Sequence, residues 1–497
     1  MKSTKLRLLL VIILGFLAYS PMLSSDFKTA DDTYSTTANQ YIQDFSLSNI
    51  YHVFTSSFFE TGHYYRPLVQ LSFMMEYQLY QLNPFFYNLD NLLLHLLTAV
   101  ILFFIILKLS NDHVLSFFVS LLFAVHPIHW ESVCNVADRA IILCFFLEML
   151  AMFFFLKGAE KGTGYNIILS GICFAGALLS KESAIALPII LGCYVFLFEG
   201  KQNKSFKRFV PYIIVIVTYV LIRVNLGSVE VYQWRNASEL FLGFIAFARV
   251  NLTYLCLFVW PAGLHYDRAQ IMFFNWNNPW VWATIVIYTT SAALLFRLRK
   301  KVPKIVWLAM CWYALEILPV SQVFATIGVQ PGYISAAEHF LYAPSVGAFI
   351  IVVMLFQRLY QFVQQRAIVS ARMLSFFTVC LIAVLFMITF QQSTYAKSSI
   401  SMFKQSIQHN PYNTRILYAL SHDLIEAGRI DEAEKYFRMI LDVDPEHVKA
   451  RIGLGKTLCD QGKCEEALGE YQKITNPGED AKLLAENIRL TRKILRH

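Results

Sequence analysis

The sequence predicts an all-α, polytopic helical membrane protein of about eleven spans, followed by a C-terminal helical repeat domain. Composition is the first observation: apolar residues are 56% of 497 and charged residues only 15%, against roughly 25% charged in a soluble domain. The second is a series of twelve apolar stretches, centred near residues 16, 98, 119, 147, 172, 191, 216, 250, 288, 312, 350 and 381; a membrane crossing needs about 20 residues. The third is a change of texture near Tyr395 to Ser401, beyond which the last hundred residues hold about two-fifths of all charges. The chain therefore divides into a membrane body, residues 1–395, and a soluble tail, residues 396–497.

The first apolar segment, Leu8 to Leu23, follows Lys2, Lys5 and Arg7 and lacks a small-x-small cleavage site after it, so it is expected to stay as an uncleaved span. Basic residues cluster in short loops: Lys201, Lys204, Lys207 and Arg208; Arg297, Arg299, Lys300, Lys301 and Lys304; Arg358, Arg366 and Arg372. The positive-inside rule assigns these loops and the N-terminus to the cytoplasm, and it accounts for the net charge of +8 without nucleic acid. Twelve crossings would violate the rule between Arg208 and Arg297. One stretch is therefore expected not to cross, and Phe241 to Trp260, with Arg249, Asn251 and a terminal Trp-Pro, is the chosen one. Eleven crossings then deliver the tail, and every polar cluster described below, to the periplasmic or luminal side.

In the tail, Leu420, Leu424, Gly428, Glu432 and Ala433 recur 34 residues later as Leu454, Leu458, Gly462, Glu466 and Ala467. That period and pattern is the tetratricopeptide repeat, with Ser398 to Asn410 and Ala481 to Leu495 expected to cap the two repeats. Such stacks bind an acceptor or partner protein, or serve docking alone. Cys134, Cys144, Cys173, Cys193, Cys256, Cys311 and Cys380 are scattered in or beside apolar segments and read as core residues. Cys459 and Cys464 pair only if their side chains converge and the tail faces an oxidising compartment, and two unpaired thiols are the expected state.

The first outer loop, residues 26–85, is long enough to be functional. It carries Asp31-Asp32, then Glu60, His63 and Tyr65-Arg66-Pro67. Adjacent carboxylates suit removal of a proton from a hydroxyl, and an arginine suits a phosphate. His126, His129 and Glu131 end the third span, with Asp138-Arg139 opening the fourth. They could hold a divalent metal, but Pro127 breaks a continuous ligand face, and polar anchors around a phosphate or sugar are the favoured reading. Lys181 and Glu182 sit between two apolar segments with almost no loop, where a charge needs a partner or a task. Glu316, Glu338, His339 and Tyr342 mark the tenth and eleventh spans. The absence of a Gly-rich phosphate loop and of a helical H-E-x-x-H leaves an ATPase or a soluble nucleotide-sugar enzyme unsupported.

Taken in order, the acidic pair, Tyr-Arg-Pro, His-Pro-x-His-x-Glu with Arg139, Ser-Lys-Glu, Pro-x-Ser at 319–321 and Glu-His-x-x-Tyr-x-Pro-Ser at 338–345 resemble the tetratricopeptide-containing transmembrane O-mannosyltransferases, and more broadly the GT-C glycosyltransferases. The sequence departs from that pattern at His339 and Ala343, where the family often has arginine and leucine, and in having only about two repeats. The resemblance implies a GT-C-like body and inverting transfer of a sugar from a polyprenyl-phosphate donor to an acceptor hydroxyl, on protein Ser or Thr. It implies Asp31 or Asp32 as general base, and phosphate and sugar contacts from Arg66, His126, His129, Glu131, Arg139, Lys181, Glu182, Glu338, His339 and Tyr342. No cofactor is required; the lipid donor is a substrate, and a divalent metal is not favoured. Two rivals use the same features: a flippase for the lipid-linked sugar, which needs charges across the whole membrane, and a scaffold acting through its repeats.

Overall fold

The computed structural model describes residues 2–28, 30–58, 64–161, 164–200, 205–226, 236–321, 332–366 and 370–496. Glu60, His63, Lys201 and Lys204 lie outside the described residues. In chain order the body contains α1 (Lys2–Tyr19), α2 (Ala30–Ser35), α3 (Leu47–Thr55), α4 (Pro67–Tyr80), α5 (Pro84–Ser110), α6 (His113–Val125), α7 (Trp130–Cys134), α8 (Arg139–Lys161), α9 (Gly164–Ser180), α10 (Leu187–Tyr194), α11 (Val210–Leu226) and α12 (Ala237–Val259). It continues with β1 (Ala269–Ile271), α13 (Pro279–Leu298), α14 (Lys304–Ile317), β2 (Tyr333–Ser335), α15 (Ser345–Gln365) and α16 (Ala371–Tyr395).

Each of the twelve apolar stretches is helical. Local chemistry starts several of these helices: Asn83 caps α5 ahead of Pro84, Asp112 accepts from the backbone N–H groups of Val114 and Leu115 to cap α6, and Asn278 caps α13 ahead of Pro279. Among the described residues, nine helices are long and apolar enough to cross a membrane, or ten if α6 and α7, bent by 46° at Pro127, form one span. The eleven expected spans are corrected in one respect. Phe241 to Trp260 belongs to the 23-residue α12, which meets the length and hydropathy of a span. Its polar residues do not break it, because the Asn251 amide donates to Phe247 O and accepts from the Tyr313 hydroxyl, and the Arg249 guanidinium lies over Phe273 and Trp280. The short helices are instead α14, with 14 residues, and α9, with 17; at 1.5 Å per residue they fall short of a bilayer core of about 30 Å.

Helix α5 packs on both α6 and α8, α8 packs on α9, α1 lies against α5, α6 and α16, and α14 packs on α15. The last pair approaches closely, since a Cβ on Gly347 would fall 2.3 Å from Ala309 O; a small residue at such a crossing lets two membrane helices come into backbone contact. β1 and β2 form an antiparallel ribbon with Gln270 opposite Ile334. The apolar pattern does not announce this ribbon, because each strand is three residues long. It ends immediately before Ala336 to Tyr342, the segment that carries Glu338 and His339.

A second compact unit comprises, among the described residues, His265–Arg268, Gly332 and residues 398–496. Its helices are α17 (Ser399–His409), α18 (Thr414–Glu426), α19 (Ile430–Val443), α20 (Val448–Asp460), α21 (Cys464–Gln472) and α22 (Ala481–Ile494). The repeat period has a direct structural cause: Gly428 and Gly462 take φ of 72° and 84° just past α18 and α20, and the next N–H groups, of Arg429 and Lys463, close back onto Leu424 O and Leu458 O. Where paired helices meet, Gly453 and Gly455 leave room for the rings of Phe437 and Tyr471. The expectation of two free thiols is corrected here, because the tight turn between α20 and α21 brings Cys459 and Cys464 together as a disulfide.

Maleimide labelling of the full-length protein, purified without reductant, should leave Cys459 and Cys464 unmodified until dithiothreitol is added. Labelling of both thiols before reduction would contradict the bridge. Replacing both by serine should cost the repeat unit about 2 kcal/mol, the loop-closure entropy of so short a loop.

Candidate active site

Asp31 and Asp32 share the short helix α2, yet their environments differ. Asp31 is exposed, whereas Asp32 is fully buried, one carboxylate oxygen accepting from Lys28 N at 2.9 Å and the other from Ala137 N at 2.7 Å. The Lys28 ammonium, also buried, donates to Cys134 O. Burial raises the Asp32 carboxyl above its ordinary value, with Lys28 pulling against it, and burial lowers the Lys28 ammonium with Asp32 opposing. Asp32 thereby fastens the start of the first loop to the turn between α7 and α8. That turn ends in Asp138, whose carboxyl burial pushes up to about 6 against the attraction of His339.

A second clasp joins the same region to the segment ahead of α15. Glu131 accepts from His339 Nδ1 at 2.8 Å, from Glu338 N at 2.8 Å and from His339 N at 3.0 Å. In return, the buried Glu338 carboxylate accepts from the Trp130 indole at 2.6 Å. Burial disfavours charge on His339, but Glu131 and Asp138 outweigh it and hold the imidazole above its ordinary value. His339 and Lys181 line one cavity, which the breaks α9/α10 and β2/α15 open between helices. Near Lys181, Arg66 pairs with Glu182 at 3.3 Å. Arg66 stands over the Tyr64 ring, and its buried Nε has no hydrogen-bond partner among the described residues. Burial and the nearby Arg66 both lower the Lys181 ammonium.

The structure thus brings together Asp32, Glu131, Asp138, Lys181, Glu182, Arg66, Glu338 and His339, with Asp31 exposed beside them. It gives other expected site residues partners inside the protein. Arg139 donates to Glu76, Asn91 and Tyr87 O and lies over Phe73, so its fork is occupied and only 2% of its side chain is exposed. Both ring nitrogens of His129 are hydrogen-bonded, to Phe123 O at 2.9 Å and to the Ser345 hydroxyl at 3.0 Å. The buried Tyr342 hydroxyl meets His95 at 2.9 Å within a cluster of rings that includes Phe123, edge-on, and His129, tilted. His126 is buried against Phe258 and Phe349. Among the described residues no three His, Cys, Asp or Glu side chains form a metal-sized group.

Sequence reasoning passed over Lys28, Glu76, His95 and Glu148. Lys28 had a signal, standing four residues before Asp32. Glu76 and Glu148 had a weaker one, each being an isolated carboxylate in an otherwise apolar helix.

Comparison with known proteins adds a line independent of this geometry. A family model described as dolichyl-phosphate-mannose-protein mannosyltransferase matches residues 78–227, and a tetratricopeptide-repeat model matches residues 424–486. A Caenorhabditis elegans protein O-mannosyl-transferase is 24% identical over 89% of the chain, and the human protein O-mannosyl-transferase TMTC3 is 26% identical over 82%. The chain spans 63% and 47% of those two relatives. A crystal structure of the Archaeoglobus fulgidus oligosaccharyltransferase aligns with a TM-score of 0.48 at 13% identity, covering 86% of this chain and 58% of that one.

Two outcomes test the division between anchoring and available charges. Arg139→Ala, which strands Glu76, should lower the stability of the purified protein by about 3–5 kcal/mol, whereas Arg66→Ala, whose partner Glu182 is 45% exposed, should change it by no more than about 1 kcal/mol. Asp138 has a pH signature. Its native carboxyl holds a proton up to about 6 while the unfolded one releases it near 3.8, so the native state loses stability as pH rises through that window. The thermal midpoint of Asp138→Asn relative to the parent should therefore climb by a few degrees between pH 4 and 6.5 and then level off; a flat difference would refute the assignment.

Proposed function

From a chain that is a sequence relative of the tetratricopeptide-bearing transmembrane O-mannosyltransferases, we propose an integral-membrane glycosyltransferase. It moves a hexose, mannose by analogy, from a polyprenyl-phosphate donor to a hydroxyl of a protein acceptor, with inversion. The observation that carries this reading is a cavity lined by the cations Lys181 and His339, with the Arg66–Glu182 pair next to Lys181 and the exposed carboxylate of Asp31 on the loop that Asp32 ties to the turn before Asp138. A base and a phosphate grip at one place are what sugar transfer from a lipid phosphate requires.

In this reading Asp31 takes the proton of the acceptor hydroxyl as its oxygen attacks C1 of the sugar. The bond from C1 to the phosphate oxygen breaks, and the lipid phosphate leaves with both electrons of that bond. Asp31 is assigned the base role because Asp32 spends both oxygens on backbone N–H groups and is better suited to hold the loop. Charge building on the leaving phosphate is met by Arg66, Lys181 and His339, arranged before the reaction begins. These side chains supply the neutralising charge, so the reading assigns no metal to the step. Phosphate can exchange for Glu182 on Arg66, since that carboxylate is open to solvent.

The repeats are assigned to the acceptor or to a partner protein, on the periplasmic or luminal side. The Cys459–Cys464 bridge supports that side, because disulfides persist in oxidising compartments.

Transfer assayed with purified protein, polyprenyl-phosphate mannose and extracted acceptor proteins should fall by about 10²–10⁴-fold in Asp31→Asn with the thermal midpoint preserved. Asp32→Asn should lose activity together with stability. Undiminished transfer by Asp31→Asn would remove Asp31 from the base role.

A further inference from the structure

The cavity that holds Lys181 and His339 has a second wall that the proposed transfer does not use. Helix α8 turns Ile141, Cys144, Phe145 and Glu148 toward it, at the i, i+3, i+4, i+7 spacing of one helical face. The end of α14 contributes Glu316. Glu148 is 1% exposed and Glu316 3%, and both line the same cavity. Two carboxyl groups at such a place are costly to bury unless something satisfies them.

The protein does little to satisfy them. Glu316 Oε1 is buried without a hydrogen-bond partner among the described residues. Among the described residues, Glu148 Oε1 accepts from the weak S–H donor of Cys144, at 3.7 Å. An unmade bond at a buried oxygen costs about 1–3 kcal/mol, and both side chains line the cavity.

The composition of the walls selects the ligand. Carboxylates alone would suit a cation, but Lys181 and His339 on the same cavity repel one. A ligand that is anionic at one end and a donor of several hydrogen bonds at the other satisfies both walls. A hexosyl phosphate has that character: its phosphate matches the cations, its hydroxyls donate to carboxylates, and its C–H faces can lie on Phe145 and Phe340. We propose that Glu148 and Glu316 are the sugar-reading residues of the donor site, accepting hydrogen bonds from hydroxyls of the hexose while Lys181 and His339 face its phosphate. This rests on the transferase reading and adds the part of the site that discriminates between sugars.

The test uses the full-length protein in lipid nanodiscs and compares affinities for bare polyprenyl phosphate, polyprenyl-phosphate mannose and its 2-, 3-, 4- and 6-deoxy analogues. The wild type should bind the mannosyl lipid at least about tenfold more tightly than the bare lipid, and at least one deoxy analogue should lose most of that gain. Glu148→Gln and Glu316→Gln should each reduce the preference for the mannosyl lipid by about tenfold while leaving bare-lipid affinity unchanged. Unchanged preference in both variants overturns the proposal. Should either variant misfold and lose both lipids, the wild-type series decides alone: deoxy analogues that all bind within twofold of the parent overturn it too. Failure of the wild type to bind polyprenyl phosphate in any form instead defeats the transferase reading from which it starts.

Discussion

One carboxylate, Glu131, does more than any other group to assemble the region around the cavity. It takes three hydrogen bonds from the Glu338-His339 turn, more than 200 residues away in sequence, while Glu338 takes one from its neighbour Trp130. Such a reciprocal pair is directional where helix packing in lipid is not. Helices in a bilayer gain little hydrophobic free energy from meeting each other, so polar contacts and close small-residue crossings set the register. The Gly347 approach to Ala309 supplies the second element, bringing α15 against α14 just beyond the clasp. His339 is placed by the combination, and with it the cavity.

The same logic separates two kinds of buried charge. Arg139 and Glu76 form a pair of which 2% and 7% are exposed, completed by Asn91 and the Tyr87 carbonyl. Nothing from solvent can replace either member without a large desolvation cost. Asp32 is a similar anchor by different means, since its two backbone donors fix one end of the first loop to the α7–α8 turn. Anchors of this kind position the site and are poor reagents for it, because using them chemically would dismantle what they hold.

Much of this architecture is legible in the sequence, and the limits of legibility are physical. All twelve apolar stretches are helices because hydropathy over about twenty residues is a bulk property that neighbours cannot override. The tetratricopeptide period is equally robust, resting on glycines that φ above zero demands. What sequence does not specify is partnership. Arg139, His129 and Tyr342 carry the right functional groups for a ligand, yet Glu76, Ser345 and His95 occupy them in the fold. α12 misleads for a related reason: Asn251 and Arg249 look disruptive until Tyr313 and two aromatic rings satisfy them. Glu148 gives only a weak signal in sequence, a single acid in a long apolar run, and the fold alone sets it in one cavity with Glu316 and Lys181.

Exchangeability then gives a criterion for the functional arginine. Arg66 precedes Pro67, which starts α4 and holds the residue before it out of helical geometry. Its guanidinium is pinned by the Tyr64 ring and by one carboxylate, Glu182, that is open to solvent. Its Nε–H, buried and unmatched, is a donor whose cost the fold carries without return. A phosphate arriving beside Lys181 would meet that donor and displace a weakly held, solvated carboxylate. Arg139 offers no such exchange. Two arginines that look alike in sequence are therefore divided by the solvent access of their partners, and the phosphate contact proposed above falls to Arg66.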